Sequence, residues 1–354
     1  MQIEGDAIKI EIFVDTERIR DNLAQIKKQV GTKVLLMVKA DAYGHGLLRV
    51  AKATCDVVDA FGVATVEEAR VLRENGVGKD VLVCIVAPDE LEYACRLGAI
   101  VSLHCFAQLD KLVELAKNGK IDCSKMRLHL KVDSGMHRFG FDARDIKRVC
   151  ETLIECGYFV EGVFSHLRDG TARQKNEFDR CAEITKRYFP QATLHLASSH
   201  SLSTEELRYD MVRVGISAYE GAMSVVSRVV ETRFIKAGEI VSYGTQTLEK
   251  DCNIAYVFGG YADGVCRENP SSVIIDGKAC NVVGNVCMDV FAVDTGEYRA
   301  QIGEKAVLLD GTIAEEVARQ RKTIDYCVYT SFGRSRSVCK SRTQEELQDK
   351  ILNP

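Results

Sequence analysis

The chain has 354 residues, of which 46% are hydrophobic and 28% are charged, and its formal net charge is −4. This composition is typical of a folded globular protein, and the length allows one large and one small domain. Lysine and arginine are spread along the whole chain, which excludes the concentrated basic surface of a nucleic-acid-binding protein or of a protein held on an anionic membrane.

The apolar residues indicate neither export nor membrane insertion. Residues 1–20 lack the basic and apolar regions of a signal peptide, and no later run approaches the roughly 18 apolar residues that a spanning helix needs. The 14 cysteines are scattered, with no CxxC pair and no histidine at zinc-site spacing. We therefore expect free thiols in a cytoplasmic protein, no metal centre and a small-molecule partner.

Short β-branched apolar runs alternate with helical segments between residues 33 and about 214. Eight runs are predicted as strands: 33–39, 60–64, 81–86, 100–104, 127–133, 159–165, 193–198 and 211–215. Amphipathic segments between them, such as 66–76 and 143–157, end at or near a glycine that can terminate a helix. This alternation favours a (β/α)8 barrel over a doubly wound sheet.

The pattern changes after about residue 222. Apolar runs are then separated by Gly, Asp and Asn turns, which predicts a mostly β domain. One helix is predicted there, in TIAEEVARQRK, with Thr312 as its N-cap and Glu315 three residues later. We therefore predict two domains, a barrel over 1–222 and a mostly β domain over 223–354.

The first predicted barrel strand ends at Lys39. Functional residues of such barrels lie at the C-terminal ends of the strands and in the loops that follow. Burial among apolar neighbours lowers the pKa of a lysine and leaves a neutral amine that can act as nucleophile or base. The alternative is a lysine that extends from the barrel mouth into solvent, and the strand pattern does not separate the two.

The segment VKADAYGHG (38–46) closely resembles the cofactor-lysine motif of alanine racemases, which are pyridoxal-phosphate enzymes of fold-type III. Further segments resemble the family in the same order: LKVDSGMHRFGFD (130–142), FSHLRDG (164–170), HLASSH (195–200), VRVGISAY (212–219), IVSYGTQ (240–246), GGYADG (259–264) and VGNVCMDVF (283–291). Together they span nearly the whole chain. The resemblance implies a barrel followed by a β domain, an isomerase activity and pyridoxal 5'-phosphate as cofactor.

The resemblance also implies two catalytic bases. Lys39 carries the cofactor and moves a proton on one face of the substrate, and Tyr243 acts on the opposite face. In the family, the second base comes from the other protomer of a homodimer. His166 matches the residue that stabilises the deprotonated tyrosine, since an ordinary tyrosine titrates near a pKa of about 10.

Cofactor contacts follow from the same resemblance. Arg213 matches the arginine that faces the pyridine nitrogen of the cofactor. Because arginine can only donate a hydrogen bond, it weakens the ring as an electron sink. A weaker electron sink favours racemisation over other reactions. The phosphate contacts would come from Tyr43, Ser199 and the backbone amides of Gly215 and Ile216.

Substrate contacts are implied for Arg138, Met288 and Tyr261. Lys131 corresponds to a lysine that is often carbamylated in the family, whereas Asp263 is expected to serve a turn.

The chain departs from the family pattern at the expected pocket entrance. A tyrosine that usually narrows this entrance is replaced by Gly333 or Arg334, and Asn285 stands where many relatives have an arginine. Such pockets discriminate weakly over a methylene or hydroxyl, so serine or a broader range of amino acids is an alternative to alanine. For alanine, the product would supply D-alanine for cell-wall peptidoglycan.

Three other interpretations remain open. A decarboxylase of the same fold is less well supported, because the chain lacks the glycine-triplet phosphate loop and the Cys-led motif of those relatives. A non-catalytic pyridoxal-phosphate-holding protein is an alternative of another class, although such single-barrel proteins lack a counterpart of Tyr243. The chain could also be the catalytic domain of a larger membrane racemase.

Overall fold

The computed structural model describes residues 10–168, 172–245, 247–332 and 337–341, the last of these by its backbone alone. The chain divides into two compact units. The first, called the barrel unit, comprises Arg20–Ala42 and Leu47–Ala218. The second, called the β unit, comprises Met1–Ile19, Tyr43–Gly46 and Tyr219–Pro354 and contains the first strand, β1 (Ile10–Val14).

Eight parallel strands form the sheet of the barrel unit. They are β2 (Lys33–Met37), β3 (Ala60–Val63), β4 (Asp80–Val83), β5 (Ile100–Leu103), β6 (Arg127–Lys131), β7 (Phe159–Phe164), β8 (Thr193–His195) and β9 (Met211–Val214). Their order is β8-β7-β6-β5-β4-β3-β2-β9, and a parallel bridge between Ser198 and Arg213 joins the two ends. All eight predicted strands are present, and the prediction of a (β/α)8 barrel is confirmed.

The strands of this sheet are buried on both faces, which explains their nearly continuous apolar sequences. The helices before, between and after these strands are α1 (Thr16–Val30), α2 (Leu47–Thr54), α3 (Val66–Glu74), α4 (Leu91–Arg96), α5 (Phe106–Lys117), α6 (Ile146–Glu155), α7 (Ala172–Tyr188) and α8 (Ile216–Tyr219). Helices α3 and α6 occupy the two segments in which helices were predicted. Thr65 and Glu68 form a capping box at the start of α3.

The β unit contains a closed sheet of mostly antiparallel strands. Its strands after β1 are β10 (Met223–Ile235), β11 (Cys252–Phe258), β12 (Val273–Ile275), β13 (Lys278–Val283), β14 (Val290–Gly296), β15 (Lys305–Leu309) and β16 (Ser337–Ser341). Strand β10 pairs with both β15 and β11, which closes a ring of six strands. The mostly β domain that the turn-rich sequence predicts is therefore confirmed.

Strand β1 is an element that the sequence analysis missed. It pairs antiparallel with β10 and parallel with β16, and its alternate residues Ile10, Ile12 and Val14 are buried. This pairing assigns the N-terminal segment to the β unit. The division of the chain into domains at residues 222 and 223 stays a prediction.

The helical content of the β unit differs from the prediction of a single helix. Two helices follow β15: α9 (Ala314–Gln320) and α10 (Asp325–Ser331). The assignment of Thr312 as the N-cap was wrong, because Ile313 is at that position and Thr312 instead donates from its backbone N and its Oγ1 to Asp310 Oδ1. The carboxylate of Asp310 thus binds the Thr312 hydroxyl group in a local turn.

Across the described part of the chain, no helix combines the length and apolar character that crossing a membrane requires. The thirteen cysteines that the structure describes are free thiols.

Candidate functional site

Lys39 follows strand β2 at the C-terminal edge of the barrel sheet, and its side chain is half-buried. The next four residues, Ala40 to Tyr43, all have φ between 52° and 56°. L-amino acids adopt this left-handed conformation at a cost of about 1–2 kcal/mol per residue. None of the four residues is a glycine, so surrounding interactions must hold the turn in place.

Hydrogen bonds from two directions hold this left-handed turn. Glu68, at the start of α3, accepts from Ala40 N through Oε1 (2.7 Å) and from Ala64 N through Oε2 (2.7 Å). Asp41 Oδ1 accepts from Leu47 N (2.6 Å), the first residue of α2. The strained segment that follows Lys39 is therefore tied to two helices.

Ser199 lies beside the loop that follows strand β9. Its Oγ accepts from Gly215 N (2.9 Å) and lies 3.0 Å from the hydroxyl of Ser217. Ile216, which comes between them, is buried. The structure thus brings together three predicted phosphate-contact residues, Ser199, Gly215 and Ile216, and adds Ser217, which sequence reasoning missed because an isolated serine carries no signal.

Arg213 is buried inside the barrel, with 5% of its surface exposed. Its Nη1 donates to His195 O (2.8 Å) and lies 3.1 Å from His195 Nδ1, while its Nη2 donates to the backbone oxygens of Ser165 (2.5 Å) and Leu196 (3.0 Å). Burial lowers the pKa of the Arg213 guanidinium to about 10, which leaves it protonated at neutral pH. Within the described part of the chain, its Nε makes no hydrogen bond.

His166 follows strand β7 and is half-buried. Burial lowers its pKa to about 3, with further lowering by the positive charges of Arg213, Lys131, Arg138 and Lys39. The imidazole is therefore neutral at neutral pH. Lys39, Lys131 and Arg213 belong to the C-terminal ends of strands β2, β6 and β9, and Arg138 lies in the loop after β6.

Lys131, at the end of β6, is 7% exposed, and its Nζ lies 4.4 Å from the centre of the Phe164 ring. Burial, followed by the charge of Arg213, lowers the pKa of its amine to about 7. Arg138 is exposed in the loop after β6. A lowered lysine pKa is therefore found at Lys131, whereas the sequence analysis raised it for Lys39.

Tyr43 is buried within the β unit, where its ring stacks on Tyr219 with 5.0 Å between ring centres. The ring of Tyr326, in α10, lies 5.7 Å from Tyr43 at a tilt of 49°. Burial raises the pKa of Tyr326 to about 12. Tyr326 was not singled out in the sequence because its contact with Tyr43 joins residues far apart in the chain.

Tyr243 lies on the surface of the β unit, with 68% of the residue exposed. Its backbone oxygen accepts from Asn285 N (2.7 Å), and the two residues form an antiparallel bridge. Gly284 permits this approach: its φ is 65°, and a Cβ there would lie 2.1 Å from Val241 O. The backbone on both sides of Tyr243 is thus fixed, although the phenol ring faces solvent.

Two other predicted site residues of the β unit are also exposed, Met288 (52%) and Tyr261 (45%). Tyr261 N donates to Cys287 O (3.1 Å), so the two loops that carry these residues are paired. Asp263 accepts from Gly260 N (2.9 Å), as expected of a residue that serves a turn. Gly333 and Arg334, the two residues expected at the pocket entrance, lie outside the described residues.

Comparisons with known proteins agree with this arrangement. Residues 14–222 match the model of the alanine racemase N-terminal domain, and residues 222–339 match that of the C-terminal domain. An alanine racemase of Streptococcus pyogenes (serotype M5, strain Manfredo) is 31% identical, covering 88% of this chain and 93% of the relative. An alanine racemase of Streptococcus uberis is also 31% identical, covering 88% and 92%.

Solved structures show the same fold. The alanine racemase of Streptomyces coelicolor A3(2) superposes with a TM-score of 0.89 at 26% identity, covering 96% of this chain and 99% of that chain. The structure from Acinetobacter baumannii gives a TM-score of 0.84 at 28% identity, covering 95% and 100%. A structure from Bartonella henselae, described with covalently bound pyridoxal phosphate, is similar in fold (TM-score 0.83, 23% identity, covering 94% and 99%). The chain belongs to the alanine racemase family of isomerases.

Proposed function

We propose that this chain interconverts L- and D-alanine with pyridoxal 5'-phosphate as cofactor, using Lys39 and Tyr243 as bases on opposite faces of the substrate. The observation that carries the proposal is that Lys39, Lys131, His166 and Arg213 all lie at the C-terminal ends of parallel strands of one barrel sheet. Such a set of cations at the C-terminal end of a barrel suits ligands that bear a phosphate and a carboxylate. Among pyridoxal-phosphate chemistries, the family relationship favours racemisation.

The residues of the barrel unit fit this cofactor. Ser199 and Ser217 present hydroxyl groups beside Gly215 N, a combination that suits a phosphate, and Lys39 supplies the amine for covalent attachment. We assign Tyr43 as a further phosphate contact, because its phenol is held by the stacked ring of Tyr219. When bound, pyridoxal 5'-phosphate supplies the electron sink that makes the substrate Cα proton removable.

Arg213 is suited to contact the pyridine nitrogen. Both terminal nitrogens of its guanidinium already donate within the chain, which leaves Nε–H as the available donor. Because arginine can only donate and stays protonated, the pyridine nitrogen would remain unprotonated. Arg213 would thereby favour return of the proton to the substrate Cα, the outcome that racemisation requires.

Two bases on opposite faces are needed to remove a proton from one face and return it on the other. Lys39 is the base contributed by the barrel unit. We assign the second proton transfer to Tyr243 of the partner protomer in a homodimer, because the phenol is 68% exposed on a rigidly paired loop. His166, being neutral, can accept a hydrogen bond or donate one, and we assign it to orient the phenol of that tyrosine.

The substrate carboxylate would be oriented by Arg138, together with Met288 and Tyr261 of the exposed loops in the β unit. Because burial lowers the pKa of Lys131 to about 7, a substantial fraction of its amine is neutral near neutral pH, and the neutral amine is the form that reacts with carbon dioxide. In that reaction the amine nitrogen bonds to the carbon and releases a proton to solvent, leaving an anionic carbamate that can pair with Arg138. Carbamylation of Lys131 stays a prediction.

Serine, or a broader range of amino acids, is the second candidate substrate. Exposed Asn285 pairs directly with Tyr243 and provides a polar amide where many relatives have an arginine. If alanine is the substrate, we propose that its D-enantiomer supplies cell-wall peptidoglycan, and a cytoplasmic location stays part of this proposal.

The test is racemisation of L-alanine and L-serine, followed by chiral chromatography with pyridoxal phosphate present. We expect the parent chain to racemise alanine and both Lys39→Ala and Tyr243→Phe to lose at least about a thousandfold in kcat, because each removes one of the two bases. Lys52→Ala and Tyr93→Phe are matched controls in α2 and α4 and should retain the parent rate. A parent chain that binds the cofactor but racemises neither amino acid would support the cofactor-holding or decarboxylase alternative.

A further inference from the structure

The loop that follows strand β6, residues 133–141, carries Arg138 and is closed at both ends. Phe141 N donates to Lys131 O (3.0 Å), and Asp133 N donates to Phe141 O (3.0 Å), so the chain returns to the strand that it left. Gly140 permits this return: its φ is 127°, and a Cβ there would lie 2.5 Å from Asp133 N. The loop is therefore fixed where it begins and where it ends.

The carboxylate of Asp133 binds the first half of this loop. Its Oδ1 accepts from three consecutive backbone amides, those of Gly135 (2.9 Å), Met136 (3.0 Å) and His137 (3.1 Å). Burial raises the pKa of this carboxyl, but the hydrogen bonds from the amides and the neighbouring His137 outweigh burial and lower the pKa below its ordinary value. The carboxylate is therefore ionised at neutral pH, and hydrogen bonds to a charged oxygen are the strong ones.

The third of these amides belongs to a residue with a strained backbone. His137 has a φ of 57°, a left-handed conformation that an L-amino acid adopts only at a cost. The bond from His137 N to Asp133 Oδ1 helps to offset that cost. Because His137 directly precedes Arg138, its conformation sets the direction in which the chain enters Arg138.

The neighbouring strand β7 anchors the residues on both sides of Asp133. The hydroxyl groups of Ser134 and Ser165 are buried and lie 2.8 Å apart. Ser165 Oγ donates to Val132 O (2.8 Å), so the hydrogen atom between the two hydroxyl groups comes from Ser134. Ser165 directly follows β7 and thus holds both neighbours of Asp133, which fixes the position of the carboxylate relative to the three amides.

The side chain of Arg138 depends on its backbone for direction. Arg138 is exposed, and within the described part of the chain its guanidinium makes no hydrogen bond or ion pair. A free arginine side chain samples many rotamers, so the place that it can reach is set by the loop that carries it.

We propose that Asp133 is a positioning residue for Arg138, acting by accepting from the three amides that precede it and so fixing the backbone from which the guanidinium reaches the substrate carboxylate. The step from loop to substrate rests on the proposed function, in which Arg138 orients that carboxylate. The ordering of the loop by Asp133 stands on the protein alone.

The first test measures hydrogen–deuterium exchange of the amides at 135–137 by mass spectrometry of the full chain. In Asp133→Ala, which lacks an acceptor, we expect exchange to quicken by at least about tenfold, the factor for one hydrogen bond to a charged group. Asp133→Asn keeps an accepting Oδ1 and should lie closer to the parent. Unchanged exchange in Asp133→Ala, or equal increases in the two variants, would overturn the proposal.

The matched control is Asp142→Ala, because Asp142 is an exposed aspartate just after the loop that pairs with Arg144. Its exchange at 135–137 should equal that of the parent. Should Asp133→Ala fail to fold, Asp133→Ser takes its place, because a shorter side chain with one oxygen cannot reach all three amides. Exchange should again quicken, and an unchanged rate would contradict the proposal.

The second test asks whether loop order affects the reaction. Misplacement of a group that orients a substrate typically costs about 10- to 100-fold. We expect kcat/KM for L-alanine to fall about tenfold in Asp133→Ala, mostly through KM, because the substrate carboxylate is bound before the reaction as well as during it. Asp133→Asn should recover most of the loss, and equal losses in both variants would contradict the positioning role.

A double-mutant cycle separates positioning from a general loss of structure. If Asp133 acts through Arg138, adding Asp133→Ala to an Arg138→Ala chain should lower kcat/KM by less than about twofold. A further tenfold loss in the double variant would show that Asp133 acts elsewhere. If the parent chain racemised no amino acid, the proposed function would fail, while the exchange measurement would still decide whether Asp133 orders the loop.

Discussion

The candidate residues of the two units differ in burial and in the contacts that their side chains make within the chain. In the barrel unit, Arg213 is 5% exposed and uses both terminal nitrogens in four contacts, and its partner His195 is fully buried. In the β unit, Tyr243 is 68% exposed and Met288 is 52% exposed, although the backbone of Tyr243 is firmly paired.

Under the proposed function, this difference suits two kinds of catalytic group. A residue that must hold the electronic state of a cofactor benefits from a dry, fixed position, which the barrel interior provides. A residue that must act in another protomer needs a rigid backbone and an exposed side chain. Substitution of buried Arg213 should therefore lower stability, whereas substitution of exposed Tyr243 should lower activity and leave stability nearly unchanged.

The largest expected contrast in stability is between Arg213→Leu and Tyr243→Phe. Loss of the buried guanidinium leaves His195 Nδ1 and three backbone oxygens without their donor, which should lower the free energy of unfolding by about 3–5 kcal/mol. Loss of an exposed hydroxyl should change it by less than about 0.5 kcal/mol. Urea denaturation measures both, and similar losses in the two variants would contradict the comparison.

Acid should weaken the fold through the neutral histidines of the barrel unit. Burial lowers the pKa of His129 from 6.5 to about 3 and that of His195 well below 6.5. Below pH 6.5 the unfolded chain therefore binds more protons than the folded one, and the free energy of unfolding falls as the pH drops, by up to about 1.4 kcal/mol per pH unit for each histidine.

Urea denaturation between pH 7 and pH 4 tests this dependence. His129→Gln removes one of the titrating histidines while keeping an acceptor, so its stability should fall less steeply with acid. An equal slope in the parent and in His129→Gln would show that His129 is not one of the groups responsible.

A smaller effect is expected at Glu68, which supports the strained turn after Lys39. Glu68→Gln keeps one accepting oxygen but replaces the other with a donor, so one of the bonds to Ala40 N and Ala64 N is lost. The free energy of unfolding should fall by about 1–2 kcal/mol, and pyridoxal phosphate should bind more weakly. The matched control is Glu67→Gln, because Glu67 is exposed and pairs with Arg70. Equal losses in the two variants would show that the turn does not depend on Glu68.

The sequence predicted the eight barrel strands because each is a short β-branched run between helical segments, a local pattern. It did not predict β1, whose five residues become a strand by pairing with β10 more than 200 residues later. Nor did it predict the left-handed turn, because Ala40 to Tyr43 includes no glycine and has ordinary helical propensity. Its support comes from Glu68, 28 residues away from Ala40.

The sequence likewise predicted only part of the candidate site. Lys39, Ser199, Arg213 and His166 could be named from their motifs, whereas the contacts of Arg213 with His195 and of His195 with His129 depend on how β6, β8 and β9 align. No sequence period encodes such contacts, since the three strands are distant in the chain.

In the proposed homodimer, each site combines Lys39 of one protomer with Tyr243 of its partner. The most direct measurement mixes Lys39→Ala chains with Tyr243→Phe chains under conditions that exchange protomers, and follows racemisation of L-alanine. Each variant alone should be inactive. In a mixed dimer, one site carries both substitutions and the other carries neither, so activity should return to about a quarter of the parent value at equal mixing, given statistical exchange. No recovery, with sedimentation and mass spectrometry confirming mixed dimers, would contradict the shared site.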